Sequence, residues 1–188
     1  YVMGVVAAEI STTGNAGYIG GFEIPPTAET RAGFVQGFTD SGGTTTADVN
    51  VGDFNDVVGA KDSAAAQIAN DIDTIYGFVD AGFPGVVQAV DESGVDVALW
   101  GATVSHCGDG PQVVANAIAN SEQVLRVLMN AFNDGTLPHD NVFFGIEDPL
   151  IQHVELCPGY EEHQGLVDST VAGILSGEVV LEPAVTGG

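Results

Sequence analysis

Four short segments carry most of the side chains in this chain that could bind or transform a small molecule. They are Gly20-Gly21-Phe22-Glu23, Gly52-Asp53-Phe54-Asn55-Asp56, Val79-Asp80-Ala81-Gly82 and Gly101-Ala102-Thr103. Each follows a short apolar run. In an open parallel sheet, ligands lie beyond the carboxyl ends of the strands, so the four segments would share one surface. Two of them, "GGFEIP" and "DAGFPG", leave an apolar run and open a helix, as phosphate loops do. Neither is GxGxxG or GxxxxGK[ST], and Glu23 and Asp80 would repel a phosphate. The same two carboxylates could serve a hydrolase or isomerase as general acid or base. That chemistry asks for a nucleophile beside a base, and the sequence presents no such pair.

Three further features have two-sided readings. Cys107 directly follows His106, but neighbouring side chains usually point apart, so a catalytic Cys–His pair would need a partner from elsewhere. A disulfide between Cys107 and Cys157 and a metal site with His106 are the other readings. The histidines at 106, 139, 153 and 163 show no HxxxH or HExxH spacing, and nothing else implies a metal or cofactor. Phe54 is either a cap on its local core or a platform on which a ring could stack.

The elements that must position these residues alternate. Residues 17–20, 47–51, 74–78 and 95–100 read as strands. Residues 27–40, 57–71 and 84–91 read as helices, with Thr27 as N-cap of the first and Pro84 opening the third. Such alternation predicts an α/β fold, with a Rossmann-like parallel sheet and right-handed crossovers that place helices on both faces. Beyond 101 comes a polar loop, "GATVSHCGDGPQ". An amphipathic helix over 121–132 follows, with Ser121 as N-cap and an apolar stripe from Val124 to Phe132. Strands over 142–145 and 151–156, a helix over 164–176 ended by Gly177, and a closing strand in "EVVLEP" complete the reading.

The 188 residues include 26 acidic and three basic ones, for a formal charge of −23. That charge repels nucleic acid and anionic lipid. Mean hydropathy is +0.23, which argues against disorder. The acids are spread along the chain and lysine is nearly absent, a pattern that suits solubility in concentrated salt, where self-repulsion is screened. No apolar run is long enough for a membrane-spanning helix. The opening "YVMGVVAAEISTTG" reads as a helix entered in mid-element, with no N-cap before it.

Read together, "YVMGVVAAEISTTGNAGYIGGFEIP", "AGFVQGF", "VGDFNDVVGAKDSAAAQI", "GVVQAVDESGVDVALWG", "VVANAIANSEQVLRVLMNAFNDGT", "VFFGIED" and "GILSGEVVLEP" resemble the basic membrane protein family in order along the chain. These are solute-binding proteins of ABC importers, the best known being purine nucleoside receptor lipoproteins. The resemblance implies a type I periplasmic-binding-protein-like fold of two lobes closing on a ligand, with no enzymatic activity. On it, residues 1–14 would be the crossover helix from an absent first lobe. Residues 15–102 would be the Rossmann-like second lobe, itself incomplete, and 103–188 would return to the first lobe and hinge. The resemblance also implies a nucleoside or similar ring-bearing solute, with Phe54 stacking on the ring and Asn55, Asp80, Gly82, Thr103 and Glu23 around it. An ABC permease would be the partner, and the location the outer face of the cell membrane through a lipid anchor. Two positions depart from the family: Thr103 stands near an expected aspartate, and Ala119 near an expected lysine. A signalling domain of the same fold that senses a ligand is the alternative.

Overall fold

The computed structural model describes residues 1–140 and 142–183. Six strands form one sheet in the order β2-β1-β3-β4-β5-β6: β1 (Asn15–Gly20), β2 (Thr45–Asn50), β3 (Thr74–Phe78), β4 (Ala98–Thr103), β5 (Val113–Ala119) and β6 (Gln152–Leu156). Every pairing is parallel except β5 with β6. Helices α1 (Val2–Ile10), α2 (Pro25–Asp40), α3 (Val57–Ile68), α4 (Phe83–Ser93), α5 (Ser121–Asn133) and α6 (Gln164–Ser176) accompany the strands.

Successive residues of a strand face opposite sides of the sheet, and here both sides are covered, so the central strands read as continuous apolar runs. Tyr18, Tyr76 and Trp100 face α1, α2 and α6, where they pack with Phe34, Phe38 and Val167. Ile19, Ile75 and Leu99, one residue along or back, face α3 and α4 and pack with Phe83 and Val86. Tyr18 and Tyr76 stack at 5.7 Å, and the Tyr18 hydroxyl donates to the Thr27 carbonyl across 3.0 Å. Burial pushes both phenols well above the ordinary tyrosine range.

The strand–helix alternation expected up to residue 100 is present, with boundaries moved by a few residues. Several local expectations need correction. Thr27 is not the N-cap of α2; Ile24 is, and Thr27 lies inside the first turn. Its hydroxyl accepts the Ile24 N–H at 3.0 Å and sits near the carbonyls of Phe22 and Ile24. Likewise Asn120, not Ser121, caps α5, its side chain accepting the Gln123 N–H at 3.2 Å. Residues 142–145 form no strand, and Phe143 is 87% exposed, because no described strand edge lies beside them to complete a ladder. The "EVVLEP" segment also forms no strand. The side-chain amide of Gln36 holds it instead, donating to the Val180 carbonyl and accepting from the Glu182 N–H, each at 2.9 Å. Conversely β5 was not anticipated, although "VVANAIA" is a short apolar run between Pro111 and Asn120. It places residues 113–119 in the sheet that β1 begins.

Candidate functional site

The sheet order itself marks a crevice. From β1 the chain turns into α2, which covers one face; from β3 it turns into α4, which covers the other. The two neighbouring strands therefore send their loops apart, and a gap opens at their carboxyl ends. Such a switch point is where ligands bind in open α/β sheets.

Three aromatic rings stand around this gap. Phe54, in the loop after β2, is half-buried, with Phe22 edge-on at 5.6 Å and Phe78 tilted at 6.0 Å. Gly21 explains the glycine pair after β1: a Cβ there would lie 2.3 Å from the Phe54 ring. The ring thus rests on bare backbone, a contact that only glycine permits. Gly21 in turn donates its N–H to the Phe78 carbonyl at 3.1 Å. Phe22 remains 48% exposed. Phe22 and Phe78 were missed in the sequence, although Phe22 directly follows the glycine pair and Phe78 ends an apolar run.

The polar residues split into engaged and unengaged ones. Glu23 is committed: it pairs with Arg31 at 3.0 Å and accepts from the Asn50 side-chain amide, while Arg31 also holds Asp48 at 2.8 Å. This ion cluster braces the rim between β1 and β2. Asp53 accepts the backbone and side-chain N–H groups of Asn55, at 2.9 and 3.1 Å, which shapes the loop under Phe54. Asp56 caps α3 through the Gly59 N–H at 2.9 Å. Gly82 is buried and donates to the Phe54 carbonyl at 3.0 Å, joining the loop after β3 to the loop after β2. Asp80 is exposed and makes no side-chain hydrogen bond among the described residues. Its backbone takes φ +39°, and that of Thr103 takes φ +67°. Non-glycine residues with positive φ carry a conformational cost and collect at ligand sites. Asp71, at φ +60°, is the third among the described residues and lies in the turn before β3.

A cavity of about 500 Å³ adjoins the crevice on the α1–α2 side of the sheet. Phe34, Tyr76, Phe78, Ile118 and Val154 supply apolar walls; Glu29, Thr30, Gln152 and His153 supply polar ones. Thr103 and Ala119 both line it, so the two positions that depart from the family pattern meet in one place. Of the six ligand residues expected from the sequence, Thr103 alone lines this cavity. Phe54, Asn55, Asp80, Gly82 and Glu23 surround the neighbouring crevice, and Phe78 joins the two spaces.

Cys107 and Cys157 form a disulfide, with S–S 2.00 Å and Cα–Cα 5.2 Å. His106 pairs with Asp109 at 2.7 Å and packs on the Phe83 ring at 4.2 Å. Among the described residues, no group of three or more His, Cys, Asp or Glu side chains is placed to hold a metal ion. No described helix is long and apolar enough to cross a membrane.

Comparison with known proteins gives a consistent result. The family model described as "ABC transporter substrate-binding protein PnrA-like" matches residues 1–181. Among solved structures, a transcriptional activator of the comK gene from Bacillus halodurans superposes with TM-score 0.82 at 19% identity, covering 97% of this chain and 63% of that one. An ABC transporter solute-binding protein from Aeropyrum pernix K1 gives 0.78 at 18% identity, covering 97% and 63%. Another from Conexibacter woesei DSM 14684 gives 0.73 at 19%, covering 97% and 62%. The chain thus spans under two thirds of the length of these structures, whose likeness is one of fold. No curated protein sequence matches.

Proposed function

This chain belongs to the family of PnrA-like substrate-binding proteins of ABC transporters, and from that premise we propose that it binds a nucleoside or similar small ring-bearing solute and presents it to a membrane permease. The observation that carries the reading is the ring set at the switch point. Phe54 lies on Gly21 with Phe22 and Phe78 beside it, and the unengaged Asp80 carboxylate is at hand. A planar solute stacks on Phe54. Its donors reach Asp80 and Thr103, while the Asn55 amide and the Gly82 loop complete the rim. Charge-assisted bonds to a carboxylate are about twice as strong as neutral ones, so Asp80 takes the part that a cleft aspartate near Thr103 would otherwise play. Glu23 acts through Arg31 and Asn50 as a brace for the rim. The protein performs no chemistry on its solute, and capture is by closure of two lobes about a hinge.

The described residues supply one wall of that cleft. Helix α5 supports a second: Leu125, Met129 and Phe132 are 61%, 51% and 66% exposed on one apolar stripe. In the proposed assignment residues 1–14 are the crossover helix from the other lobe, and α5 turns its exposed stripe toward that lobe. The sheet of β1–β6 forms the lobe described here. The protein would act outside the cell, held at the membrane by a lipid anchor, and the dispersed acidic surface keeps it soluble in concentrated salt.

A thermal-shift and calorimetric screen of the full-length protein tests this, in molar KCl, against purine and pyrimidine nucleosides, sugars and small carboxylates. A bound solute at 100 times its Kd should add about 2.7 kcal/mol of stability. Phe54→Ala should then weaken binding by about 1–3 kcal/mol, the usual worth of one stacked ring. A nucleoside that binds equally well without the ring would sink the stacking role. A sugar or carboxylate that binds while no nucleoside does would sink the solute class.

A further inference from the structure

Parallel strands need a crossover of about a dozen residues or more, and it usually contains a helix. The connection between β4 and β5 does not. Residues 104–112 cross the sheet face without one, on the side that α3 and α4 cover elsewhere. Three contacts hold this segment down. The disulfide ties Cys107 to Cys157, directly after β6. Asn116 on β5, with no exposed surface, accepts the His106 N–H at 3.2 Å. The Asn116 amide nitrogen lies 3.1 Å from the Glu155 carboxylate, with the two sulfurs at 3.2 and 3.4 Å. Gly101 leaves the room: a Cβ there would meet the Asn116 oxygen at 2.2 Å and the His106 ring at 2.7 Å.

Thr103 is the first residue upstream of this segment, and it sits in the left-handed region at φ +67° while lining the cavity. A threonine keeps such a conformation only where its surroundings impose it. We propose that the Cys107–Cys157 bridge, with Asn116 beneath it, stands in for the missing crossover helix as the clamp on Thr103. Thiol reduction of this bridge is then a switch that loosens the β4 end of the cavity. Cys107 is half-buried and Cys157 buried, so an external dithiol attacks at Cys107. The S–S bond breaks, two electrons and two protons pass from the dithiol to the cysteine sulfurs, and the dithiol closes to its own cyclic disulfide. Residues 104–112 then keep their hydrogen bonds to β5 but lose their covalent tie, and Thr103 relaxes toward the extended region. The effect on affinity rests on the solute-binding role of Thr103 proposed above; the mobility of the segment does not.

Native-state amide hydrogen exchange on the full-length protein, before and after dithiothreitol and again after re-oxidation, tests the clamp without any ligand. Exchange across residues 103–112 should accelerate at least about tenfold on reduction and recover on re-oxidation. On reduction it should become faster than in β1 and β3, which exchange no faster than the global unfolding limit allows. Unchanged exchange in 103–112 overturns the proposal, and so does exchange there that on reduction stays as slow as in β1 and β3, which would make the bridge a global staple and not a local clamp. The double variant Cys107→Ser/Cys157→Ser should reproduce the reduced pattern with no reductant present. Affinity for the tightest nucleoside of the screen should fall about tenfold on reduction, within the usual range of coupling between sites. Local loosening with unchanged affinity overturns the switch, while failure of every nucleoside to bind overturns the solute reading and with it the switch, leaving the clamp to the exchange data.

Discussion

The two halves of this sheet solve the same problem differently. On the side of β1, β2 and β3, each parallel crossover runs through a helix, and helix packs on helix through glycine. On the side of β4 and β5 the crossover is bare chain, and a disulfide with one buried asparagine does the holding. The first half rests on area buried between close-packed surfaces, a strength spread over many weak contacts. In the second, the crossover segment itself rests on one covalent bond and a few polar contacts, each of which can be removed singly. The proposed site lies across the boundary, with Asp80 on the helix-backed side and Thr103 on the stapled side, both with backbones in unfavourable conformations.

The largest expected effect is on the stapled half. The bridge closes a loop with a sequence separation of 50, so its loss should cost about 4 kcal/mol on chain-entropy grounds. Denaturant titration of Cys107→Ser/Cys157→Ser against the oxidised protein measures this. A loss below about 1 kcal/mol would show that Asn116 and the packing of His106 on Phe83 suffice. The helix-backed half should suffer next most from Gly85→Ala. A Cβ there would stand 2.1 Å from the Val57 carbonyl and 3.2 Å from the Lys61 nitrogen, both backbone atoms of α3. Forcing α4 off α3 should cost about 1–3 kcal/mol, read by the same titration. A neutral Gly85→Ala would mean that the two helices are not held as closely as described.

Smaller still, and of opposite sign, are the two strained residues. Asp80→Gly and Thr103→Gly should each stabilise the protein by about 1 kcal/mol, because glycine takes positive φ without strain. Both should weaken solute binding. A glycine that stabilises without loss of affinity at either position would remove that residue from the site.

The smallest effect concerns Asp73 at the opposite end of the strands. Burial alone would raise its pKa. Hydrogen bonds from Ser11, Thr13 and Thr12, between 2.6 and 2.9 Å, outweigh that and hold it below the ordinary carboxylate range. A depressed folded pKa stabilises the fold above the unfolded value of about 3.9, and that stability is lost as pH falls through the folded pKa. Asp73→Asn should therefore be less stable than the parent near neutral pH, and the gap should narrow as pH falls below about 4 toward the depressed folded pKa. A gap that does not narrow at all between about pH 5 and pH 3 would assign the loss to packing.

Much of the architecture was legible because its signals are local. Apolar runs, helical periodicity, Pro84 at the start of α4 and Gly177 at the end of α6 all act within a few residues. They placed the α/β alternation and the four loops from which the site is built. The same locality produced the errors. Thr27 and Ser121 have the chemistry of caps, but Ile24 and Asn120 hold those positions, because caps follow from where the chain enters the helix. The run over 142–145 has the composition of a strand, and a strand exists only beside another edge. Phe22 and Phe78 were passed over because their importance lies in meeting Phe54, which is distant in sequence.

The sequence by itself therefore determined the kind of fold, the acidic surface, the family pattern and the set of loops at the strand ends. The tertiary structure alone decided that β5 joins the sheet and that Gly21 lies under Phe54. It alone set the backbones of Asp80 and Thr103 in left-handed conformations, brought Thr103 and Ala119 to one cavity, and chose a disulfide to replace a helix. Propensity and periodicity are properties of neighbouring residues. Ladder partners, ring contacts and the sign of φ at a loop are set by atoms that the chain brings together only when the whole sheet has formed.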